Sequence, residues 1–386
     1  MGCIQMTADE EGFLYPVVDA SKCIGCNLCE KVCSVLHEKE NRSRISRKIA
    51  YVGQHQDQQI VKESTSGGVF TALAEVVLAS NGVVYGAALD ENLYVRHMGV
   101  SRKEDLKAFR NSKYVQSDVG DSYSQIQSDL QSGEIVLFSG TPCQIAGLLN
   151  YLGKEYENLY CVDVVCRAVP SPLALNKYLE MRLGAEADRS QYSIRFRDKK
   201  HGYEYPSLVI YDEANRKTVC RDGIDSDPYL RSFFSGTCIR PSCTACVFRS
   251  CERRSDITLW DCFDASRYPN TKPIDNNRGV THILVHSDKG VALLKEAEKQ
   301  NLTLIAVDAQ KAISSAREMH TSHPRHNNSR TFFVGLQEEL PETVFETFFP
   351  NTAAVRLEKA ARLLCHKLGI YRFAKKVYLK ITGFQR

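Results

Sequence analysis

The sequence predicts an α/β fold, α+β overall, from three observations. Between residues 68 and 184, apolar runs of strand length alternate with segments whose apolar residues follow helical spacing. After residue 184, apolar and polar residues alternate as they do in antiparallel strands. The last forty residues return to helical spacing and are basic. Because strands that alternate with helices favour parallel pairing, we expect a mostly parallel sheet.

The first predicted elements form a series of α/β units. Residues 12–19 have the pattern of a turn and a strand, and a polar segment at 38–48 links them to the rest of the chain. The apolar pattern then predicts a helix at 68–82, a strand at 83–90, a helix at 122–133, a strand at 134–140, a helix at 141–152, a strand at 158–166 and a helix at 170–184. Pro142 fits this assignment because proline is tolerated in the first turn of a helix.

The second half of the chain is predicted to add antiparallel strands and one more unit of strand, helix and strand. Alternating patterns predict strands at 193–198, 207–212, 217–222 and 255–263. Strands at 280–287 and 302–308 then flank a helix at 289–300.

Length and composition exclude several classes of protein. The 386 residues are 43% hydrophobic and 25% charged, which are globular values and exclude a disordered or collagen-like chain. No stretch reaches the roughly 20 apolar residues of a membrane-spanning helix. The first twelve residues lack the basic and apolar regions of an export signal. We therefore expect a cytoplasmic protein.

Charge is distributed unevenly along the chain. The net charge is +4, yet residues 351–386 contain nine Lys or Arg and one acid, so the rest of the chain is slightly acidic. A basic helical tail could make peripheral contact with an anionic membrane surface, or it could cover the core with its charges in solvent. We expect no nucleic-acid partner, because the net charge is mild.

Fifteen cysteines are the most unusual feature of the composition. Without an export signal a reducing compartment is expected, and in such a compartment clustered cysteines indicate metal ligands or catalytic groups rather than disulfides. Two clusters of cysteines are present, one near each end of the predicted α/β region.

The first cluster, Cys23, Cys26, Cys29 and Cys33, matches the spacing of a bacterial ferredoxin run. Three thiolates two residues apart let one tight loop cap three irons of a 4Fe-4S cluster, whereas zinc sites prefer two separated Cys-x2-Cys pairs. We predict a 4Fe-4S cluster, with zinc and unliganded cysteines as the alternatives. In two-cluster ferredoxins the fourth cysteine of each run ligates the other cluster, so either Cys33 or Cys3 completes this one.

The second cluster is centred on Cys243 and Cys246, which have the spacing of a metal-binding pair. Cys143, Cys161 and Cys166 lie in or just after predicted strands, and strand ends in an α/β sheet gather at one edge, so these thiols could converge on the pair. A second iron–sulfur cluster is the prediction here, and zinc or plain thiols are the alternatives. The remaining candidates are Cys238, Cys251 and Cys262.

Two loops that contain glycine precede predicted helices, at 64–68 and 139–144. Backbone N–H groups at such a helix start can bind a phosphate, although a simple turn is equally compatible with each loop. The sequence contains neither the Rossmann nor the P-loop fingerprint, so a conventional dinucleotide or P-loop site is not supported.

Eight motifs occur in a specific order along the chain. They are EGFLYPVVD (11–19), the ferredoxin run, STSGG (64–68), SKYVQS (112–117), VLFSGTPCQIAGL (136–148), VDVVCRAVPSP (162–172), RPSCTACVF (240–248) and SDITLWD (255–261). In this order they resemble the β subunit of the deazaflavin-coenzyme (F-420) hydrogenases and dehydrogenases, a family with bacterial relatives among polysaccharide-biosynthesis proteins. The resemblance extends from about residue 11 to about residue 333.

The resemblance implies a domain organisation. A ferredoxin-like 4Fe-4S module would occupy residues 1–40, followed by an α/β flavin-binding core. The core would consist of an N-terminal domain of the hydrogenase β-subunit type at 41–184 and a C-terminal α/β domain with the second cysteine cluster at 185–345. A basic helical tail would complete the chain at 346–386.

The resemblance also implies an activity, in which electrons pass from a reduced carrier through a 4Fe-4S cluster to FAD and then, as hydride, to a deazaflavin or another organic acceptor. The implied partners are a redox carrier such as ferredoxin, or a hydrogenase-type partner subunit, and a small-molecule acceptor. Two alternatives stay open. The chain could be an electron-transfer subunit without its own substrate site, or a non-redox protein that binds structural zinc.

Site residues are implied by matching motifs. The residues expected beside the flavin are Ser66, Gly67, Gly68, Lys113, Gly140, Thr141, Pro142 and Cys143. Lys113 is also the implied catalytic residue, because its ammonium group could stabilise negative charge on the reduced flavin; the alternative is a surface lysine. Cys243 and Cys246 would ligate a C-terminal cluster together with Cys166 or Cys143.

Among the departures from the family pattern, those in two motifs bear on the site. The usual Cys-His-Gly is Cys166-Arg167-Ala168 here, which replaces a titratable imidazole and a permissive glycine. Trp260 replaces a glycine, and its bulk would crowd a ligand that needs close approach to the backbone. Both departures bear on the acceptor and on flavin binding.

Overall fold

A mixed eight-stranded sheet forms the centre of the protein, in a computed structural model that describes residues 2–37 and 49–382. The polar link predicted at 38–48 lies outside the described residues. The strands in chain order are β1 (Ile4–Ala8), β2 (Leu14–Val18), β3 (Ile49–His55), β4 (Val83–Leu89), β5 (Val95–Val100), β6 (Val136–Gly140), β7 (Leu159–Val164), β8 (Tyr192–Asp198), β9 (Ser207–Asp212), β10 (Lys217–Gly223), β11 (Ile257–Asp261), β12 (Thr281–Val285) and β13 (Leu302–Val307).

Helices surround the sheet and form the end of the chain. They are α1 (Leu28–Val32), α2 (Gln58–Glu63), α3 (Val69–Ala79), α4 (Ser122–Gln131), α5 (Pro142–Leu152), α6 (Pro172–Leu183), α7 (Pro228–Phe234), α8 (Asp288–Gln300), α9 (Ala309–Ser314), α10 (Ser329–Glu338), α11 (Pro341–Phe348), α12 (Ala353–Lys367) and α13 (Tyr371–Thr382). The predicted α/β fold class is confirmed. Among the described helices, none combines the length and the apolarity that crossing a bilayer requires.

The central sheet has the strand order β13-β3-β12-β11-β7-β6-β4-β5. Strands β4, β6, β7 and β11 are parallel to one another, whereas the remaining neighbouring pairs are antiparallel. The sheet is therefore mixed, and the expectation of a mostly parallel sheet is wrong. The reason lies in the connections: β4 to β5 is a short turn, and β11 to β12 contains no crossover helix, so each strand returns beside its predecessor.

Most of the predicted elements are present close to their expected positions. The three strands β8, β9 and β10 form a separate antiparallel sheet, as their alternating pattern predicted. Strands β1, β3 and β5 were not predicted from the sequence. The domain division at 184/185 stays a prediction, and strands from both sides of it pair within the same central sheet.

The N-terminal hairpin of β1 and β2 is anchored to the core by the segment between its strands. Phe13 is fully buried, and its ring packs edge-on against Phe333 with the ring centres 6.3 Å apart. Gly12 has a φ of 81°, and a Cβ atom there would lie 2.4 Å from Cβ of Leu173, so both backbone conformation and close packing require glycine. Leu14 N–H donates to Oε1 of Gln116 (2.9 Å). The cysteine loop after β2 is thereby held at a defined place on the core.

Truncation of this anchor should destabilise the protein. We expect Phe13→Ala to lower the free energy of unfolding by about 3–5 kcal/mol, because it leaves a cavity in a closely packed aromatic cluster. The measurement is chemical denaturation followed by circular dichroism. Met6→Ala is the matched control, because Met6 belongs to the same hairpin and is 56% exposed. Equal losses for both variants would contradict the anchoring role of Phe13.

Candidate functional site

The N-terminal cysteines lie on an exposed loop between β2 and α1. Cys23, Cys26 and Cys29 are exposed, and Cys33 is partly buried at the end of α1. The loop turns tightly because Gly25 and Asn27 both adopt left-handed backbone conformations, with φ of 67° and 56°. A compact loop of this kind brings several thiols to one side of the chain, which is what a cluster-binding loop needs.

Cys3, the other candidate for the fourth ligand, lies next to the start of β1. Its carbonyl oxygen accepts a hydrogen bond from Asp19 N–H (2.8 Å), just after β2. Both Cys3 and Cys33 therefore remain candidates. No cysteine in the described part of the chain forms a disulfide.

The N-terminal loop is in contact with helix α5. Helix α1 packs against α5, and Asn150 Nδ2 donates to Val32 O at 3.5 Å. Helix α5 begins with Pro142 and Cys143, so one helix connects the N-terminal loop to the second group of cysteines. Along the helix axis, the separation between Cys143 and Asn150 is about 10 Å.

Four thiols from separate elements converge at this second group: Cys143 in the first turn of α5, Cys166 after β7, and Cys243 and Cys246 in and after a 3-10 turn. Burial raises the pKa of Cys166, and the thiols of the other three raise it further, because each would bring a second negative charge close by. Burial also raises the pKa of Cys243 to about 11 and that of Cys143 above its usual value. The convergence follows from the parallel pairing of β6 and β7, whose carboxyl ends meet at one edge.

Polar and basic groups surround these thiols. Thr141 Oγ1 lies 3.1 Å from Cys143 Sγ, and Cys246 N–H donates to Ser322 Oγ (3.1 Å). Arg249 donates to the carbonyl oxygen atoms of Cys166 (2.5 Å) and Arg167, which fixes the turn after β7. Its positive charge also lowers the pKa of Cys166 against the effect of burial, so the arginine favours a thiolate at this position.

The thiols are close neighbours without being in metal-binding geometry. Within residues 2–37 and 49–382, no group of three or more His, Cys, Asp or Glu side chains is arranged so that it could hold one metal ion. This holds for the N-terminal loop and for the second group alike. The other candidate cysteines contribute to packing: Cys161, Cys238 and Cys262 are buried, and Cys251 packs against a core cluster.

The glycine loop at 64–68 packs against β3 and β12. Ser66 Oγ donates to Val280 O (2.9 Å) and lies 2.8 Å from Thr281 Oγ1, which also accepts from Gly67 N–H (2.8 Å). A Cβ atom on Gly67 would lie 2.5 Å from a carbonyl oxygen of β3, and Gly68 has a φ of 81°. The polar groups of Ser66 and Gly67 are therefore used within the protein, and the glycines are required by packing.

Lys113, the implied catalytic residue, also forms hydrogen bonds within the protein. Its Nζ donates to the carbonyl oxygen atoms of Ala108 (2.7 Å) and Arg110 (3.3 Å). Burial of the ammonium group lowers the pKa of Lys113 to about 7. The side chain is thus not a surface lysine, and its hydrogen bonds hold the segment before it.

The loop from Gly140 to Gln144 forms the junction of β6 and α5. Gln144 Oε1 accepts from Thr141 N–H (2.9 Å), and its Nε2 donates to Ser117 Oγ (2.9 Å). Pro142 begins the helix, as predicted. Thr141, Gln144, Ser66, Gly67 and Lys113 thus donate hydrogen bonds within the protein, and their assignment to a flavin stays a prediction.

A buried charged cluster lies beside the glycine loop and was not identified from the sequence. Arg197 Nη1 donates to Asp261 Oδ2 (2.5 Å), and Tyr203 OH donates to Asp261 Oδ1 (2.8 Å). Tyr203 stacks on Phe263, which is 45% exposed, with ring centres 5.0 Å apart. Among the described residues, Nε and Nη2 of Arg197 are buried without a hydrogen-bond partner. Such unpartnered donors indicate a place where an anionic or hydrogen-bond-accepting group could bind.

The two departures from the family pattern have structural partners here. Arg167 Nη1 donates to Glu318 Oε1 (2.9 Å), and its guanidinium group lies 5.3 Å from the ring centre of Phe234. Trp260 stacks on His282, its cross-strand partner in β12, with ring centres 4.7 Å apart. Both side chains therefore take part in packing at the edge where the cysteines converge and in the adjacent strands.

Two family models match the sequence. Residues 133–310 match the family described as the C terminus of the beta subunit of coenzyme F420 hydrogenase/dehydrogenase, and residues 16–35 match the 4Fe-4S binding domain. The second match confirms the ferredoxin-type motif predicted from the cysteine spacing. No curated protein matches the sequence at a significant level.

One similar solved structure is a chain of the F420-reducing NiFe hydrogenase complex from Methanosarcina barkeri, studied with xenon. It is 14% identical, with a TM-score of 0.47, and the match covers 81% of this chain and 96% of that chain.

The lowered pKa of Lys113 should make stability depend on pH. Between pH 7 and the ordinary value of 10.5, the unfolded chain binds the proton of Lys113 and the folded chain releases it, so the free energy of unfolding rises with pH. One such group contributes at most about 1.4 kcal/mol per pH unit. We expect Lys113→Met to remove this contribution in denaturation series recorded at several pH values. Lys107→Met, at an exposed neighbour, is the control, and equal pH slopes in the parent and Lys113→Met would refute the prediction.

Proposed function

We propose that this chain, whose residues 133–310 match the C terminus of the coenzyme F420 hydrogenase/dehydrogenase beta subunit, is an iron–sulfur electron-transfer subunit with two clusters. The observation that carries the proposal is the convergence of Cys143, Cys166, Cys243 and Cys246, linked by α5 to the ferredoxin-type loop. An iron–sulfur cluster bound at either group would supply one-electron transfer.

The donor sets support this assignment in different ways. At the N-terminal loop, Cys23, Cys26 and Cys29 are exposed, so their thiols are accessible to a redox carrier such as ferredoxin or to a hydrogenase-type partner subunit. The set would be completed by Cys33 or Cys3. The exposed loop would therefore be the place where electrons enter or leave the protein.

The second group supports a buried relay. Its four thiols are deprotonated when they bind iron, and the resulting negative charge needs compensation in a buried place. Arg249 supplies a positive charge next to Cys166 and orients the carbonyl oxygen atoms of the same turn. Arg240 lowers the pKa of Cys143 and Cys243 against their burial. These arginines would hold the ligands in position and stabilise the thiolate form.

A second candidate function is a flavoprotein oxidoreductase, in which FAD receives the electrons and a deazaflavin or another organic acceptor takes hydride from it. The observation that favours it is the pair of buried, unpartnered nitrogen atoms on Arg197, next to the stacked rings of Tyr203 and Phe263. An arginine and aromatic rings are suited to a ligand with phosphate and ring systems. In this candidate Arg197, rather than Ser66 or Lys113, would contact the ligand.

Contact with a membrane surface through residues 351–386 is a further part of the proposal. It concerns where the protein works and is independent of the cysteine chemistry.

Removal of one ligand from each cysteine group tests the two-cluster function. We expect anaerobically purified Cys26→Ser and Cys246→Ser variants each to lose about half of the iron and acid-labile sulfide, because each removes one cluster and leaves the other. Absorbance and electron paramagnetic resonance spectra after dithionite reduction should lose different components in the two variants. Cys365→Ser, in α12 and outside both groups, is the control and should match the parent.

Analysis of the bound metal distinguishes the iron–sulfur function from the structural zinc alternative. Zinc without acid-labile sulfide in the parent protein would refute the electron-transfer function. Iron that is unchanged in Cys246→Ser, with a folded protein by circular dichroism, would show that the second group holds no cluster.

Flavin binding separates the two candidate functions. If the second candidate is correct, FAD should bind the parent protein in equilibrium dialysis, and Arg197→Gln should weaken binding by about tenfold or more, since an ionic contact to the ligand is lost. Arg96→Gln, at an exposed arginine, should bind as the parent does. A parent protein with intact clusters and no FAD bound after addition would reject the flavoprotein and retain the electron carrier.

A further inference from the structure

The C-terminal helices α12 and α13 are amphipathic, and they turn their charged face toward the body of the protein. Lys359 forms an ion pair with Asp222 of β10, and Arg372 forms one with Asp275 (2.6 Å). Charged residues of a surface helix usually face solvent while its apolar residues face the core. In α12, Lys359 and Arg362 are half-buried whereas Leu357 and Leu364 are exposed, so part of the usual arrangement is reversed.

Further contacts keep the two helices in this orientation. Lys375 pairs with Glu204 (3.5 Å), which Arg372 also contacts. Arg362 donates to Tyr371 OH (3.1 Å), and its guanidinium group lies 5.8 Å from the ring centre of Tyr205. Acids of the body thus take up a large share of the inward-facing positive charge.

The consequence is an apolar row on the outer side of both helices. Leu357 and Phe373 are 70% and 71% exposed, more than most large apolar side chains of the described chain. Leu357 and Leu364 are seven residues apart in α12, and Phe373 and Val377 are four apart in α13, so each pair shares a face of its helix. Leu368 and Ile370 lie in the link between the two helices. The outer row consists of Leu357, Leu364, Leu368, Ile370, Phe373 and Val377.

Exposed basic residues border the outer row. Arg356 and Lys367 are exposed at either end of α12, and one acid, Glu358, stands against nine Lys or Arg in residues 351–386. Leucine and phenylalanine flanked by Lys and Arg are the composition of helices that lie in the interface of an anionic bilayer. A second copy of this chain is disfavoured as the occupant, because the exposed Arg356 and Lys367 of two facing copies would repel each other.

We propose that the outer row of α12 and α13 inserts into the headgroup region of a membrane rich in anionic phospholipid, and that Arg356 and Lys367 contact the lipid phosphates. This contact rests on the membrane association included in the proposed function, to which it adds the face, the anchoring residues and the lipid chemistry. It does not depend on iron or flavin, so either part can fail alone.

The test is co-sedimentation of the full-length protein with vesicles. We expect binding to vesicles of phosphatidylcholine mixed with phosphatidylglycerol, weak binding to phosphatidylcholine alone, and loss of binding at high salt, because salt screens the ionic attraction. Leu364→Ser combined with Phe373→Ser should reduce binding about tenfold or more. Arg356→Gln combined with Lys367→Gln should reduce binding to the mixed vesicles and weaken its salt dependence.

Leu340→Ser is the matched control, because Leu340 is also 71% exposed but precedes α11 and lies outside the outer row. It should bind vesicles as the parent does. The proposal is overturned if the parent does not bind mixed vesicles, or if Leu340→Ser loses as much binding as the double serine variant. It is also overturned if light scattering shows a dimer that the serine substitutions dissociate, because the row would then contact a second copy. Iron content measured on the same samples reports separately on the electron-transfer function.

Discussion

Parallel pairing of β6 with β7 is the constraint on which the arrangement of the cysteines depends. It places the end of β6, and with it the first turn of α5, beside the turn that comes after β7. Cys143 and Cys166 meet for this reason although they are distant along the chain, and the segment with Cys243 and Cys246 closes over the same edge. Helix α5 then extends from this edge to the ferredoxin-type loop, so one element positions both groups of thiols.

The two groups of thiols differ in their exposure to solvent. Burial opposes ionisation at the second group, where the pKa of Cys166 and Cys143 is raised, and the nearby guanidinium groups only partly offset it. Iron that bound to such thiols would release their protons, so loading of the proposed second cluster would depend on pH. The exposed loop with Cys26 has no comparable cost of desolvation. A buried site shielded from water and an exposed site open to a partner suit the inner and outer ends of one electron path.

Local patterns predicted local features well, and long-range contacts account for what they missed. The strand-turn-helix around Thr141 and Pro142 and the ferredoxin-type run both carry their signals within a few residues, and both are present. By contrast, Arg197 and Asp261 are 64 positions apart, and the motif that ends at Asp261 does not indicate its partner. Strands β3 and β5 were not predicted, and their antiparallel pairs, together with that of β11 and β12, make the sheet mixed. The family resemblance implied that Lys113 acts at a flavin. In the structure its ammonium group donates to the backbone carbonyl oxygen atoms of Ala108 and Arg110.

The orientation of the C-terminal helices shows why helical periodicity alone is insufficient. An amphipathic pattern states that one face is apolar and the other charged, but it does not state which face meets the protein. Here the body presents acids, among them Asp222 and Glu204, where an ordinary docking surface would present apolar side chains. Lys359 and Arg372 therefore turn inward, and Leu357, Leu364 and Phe373 stay exposed. An apolar face with ion pairs at its back would suit the proposed contact with a membrane, and the exposed Arg356 and Lys367 would favour anionic lipid.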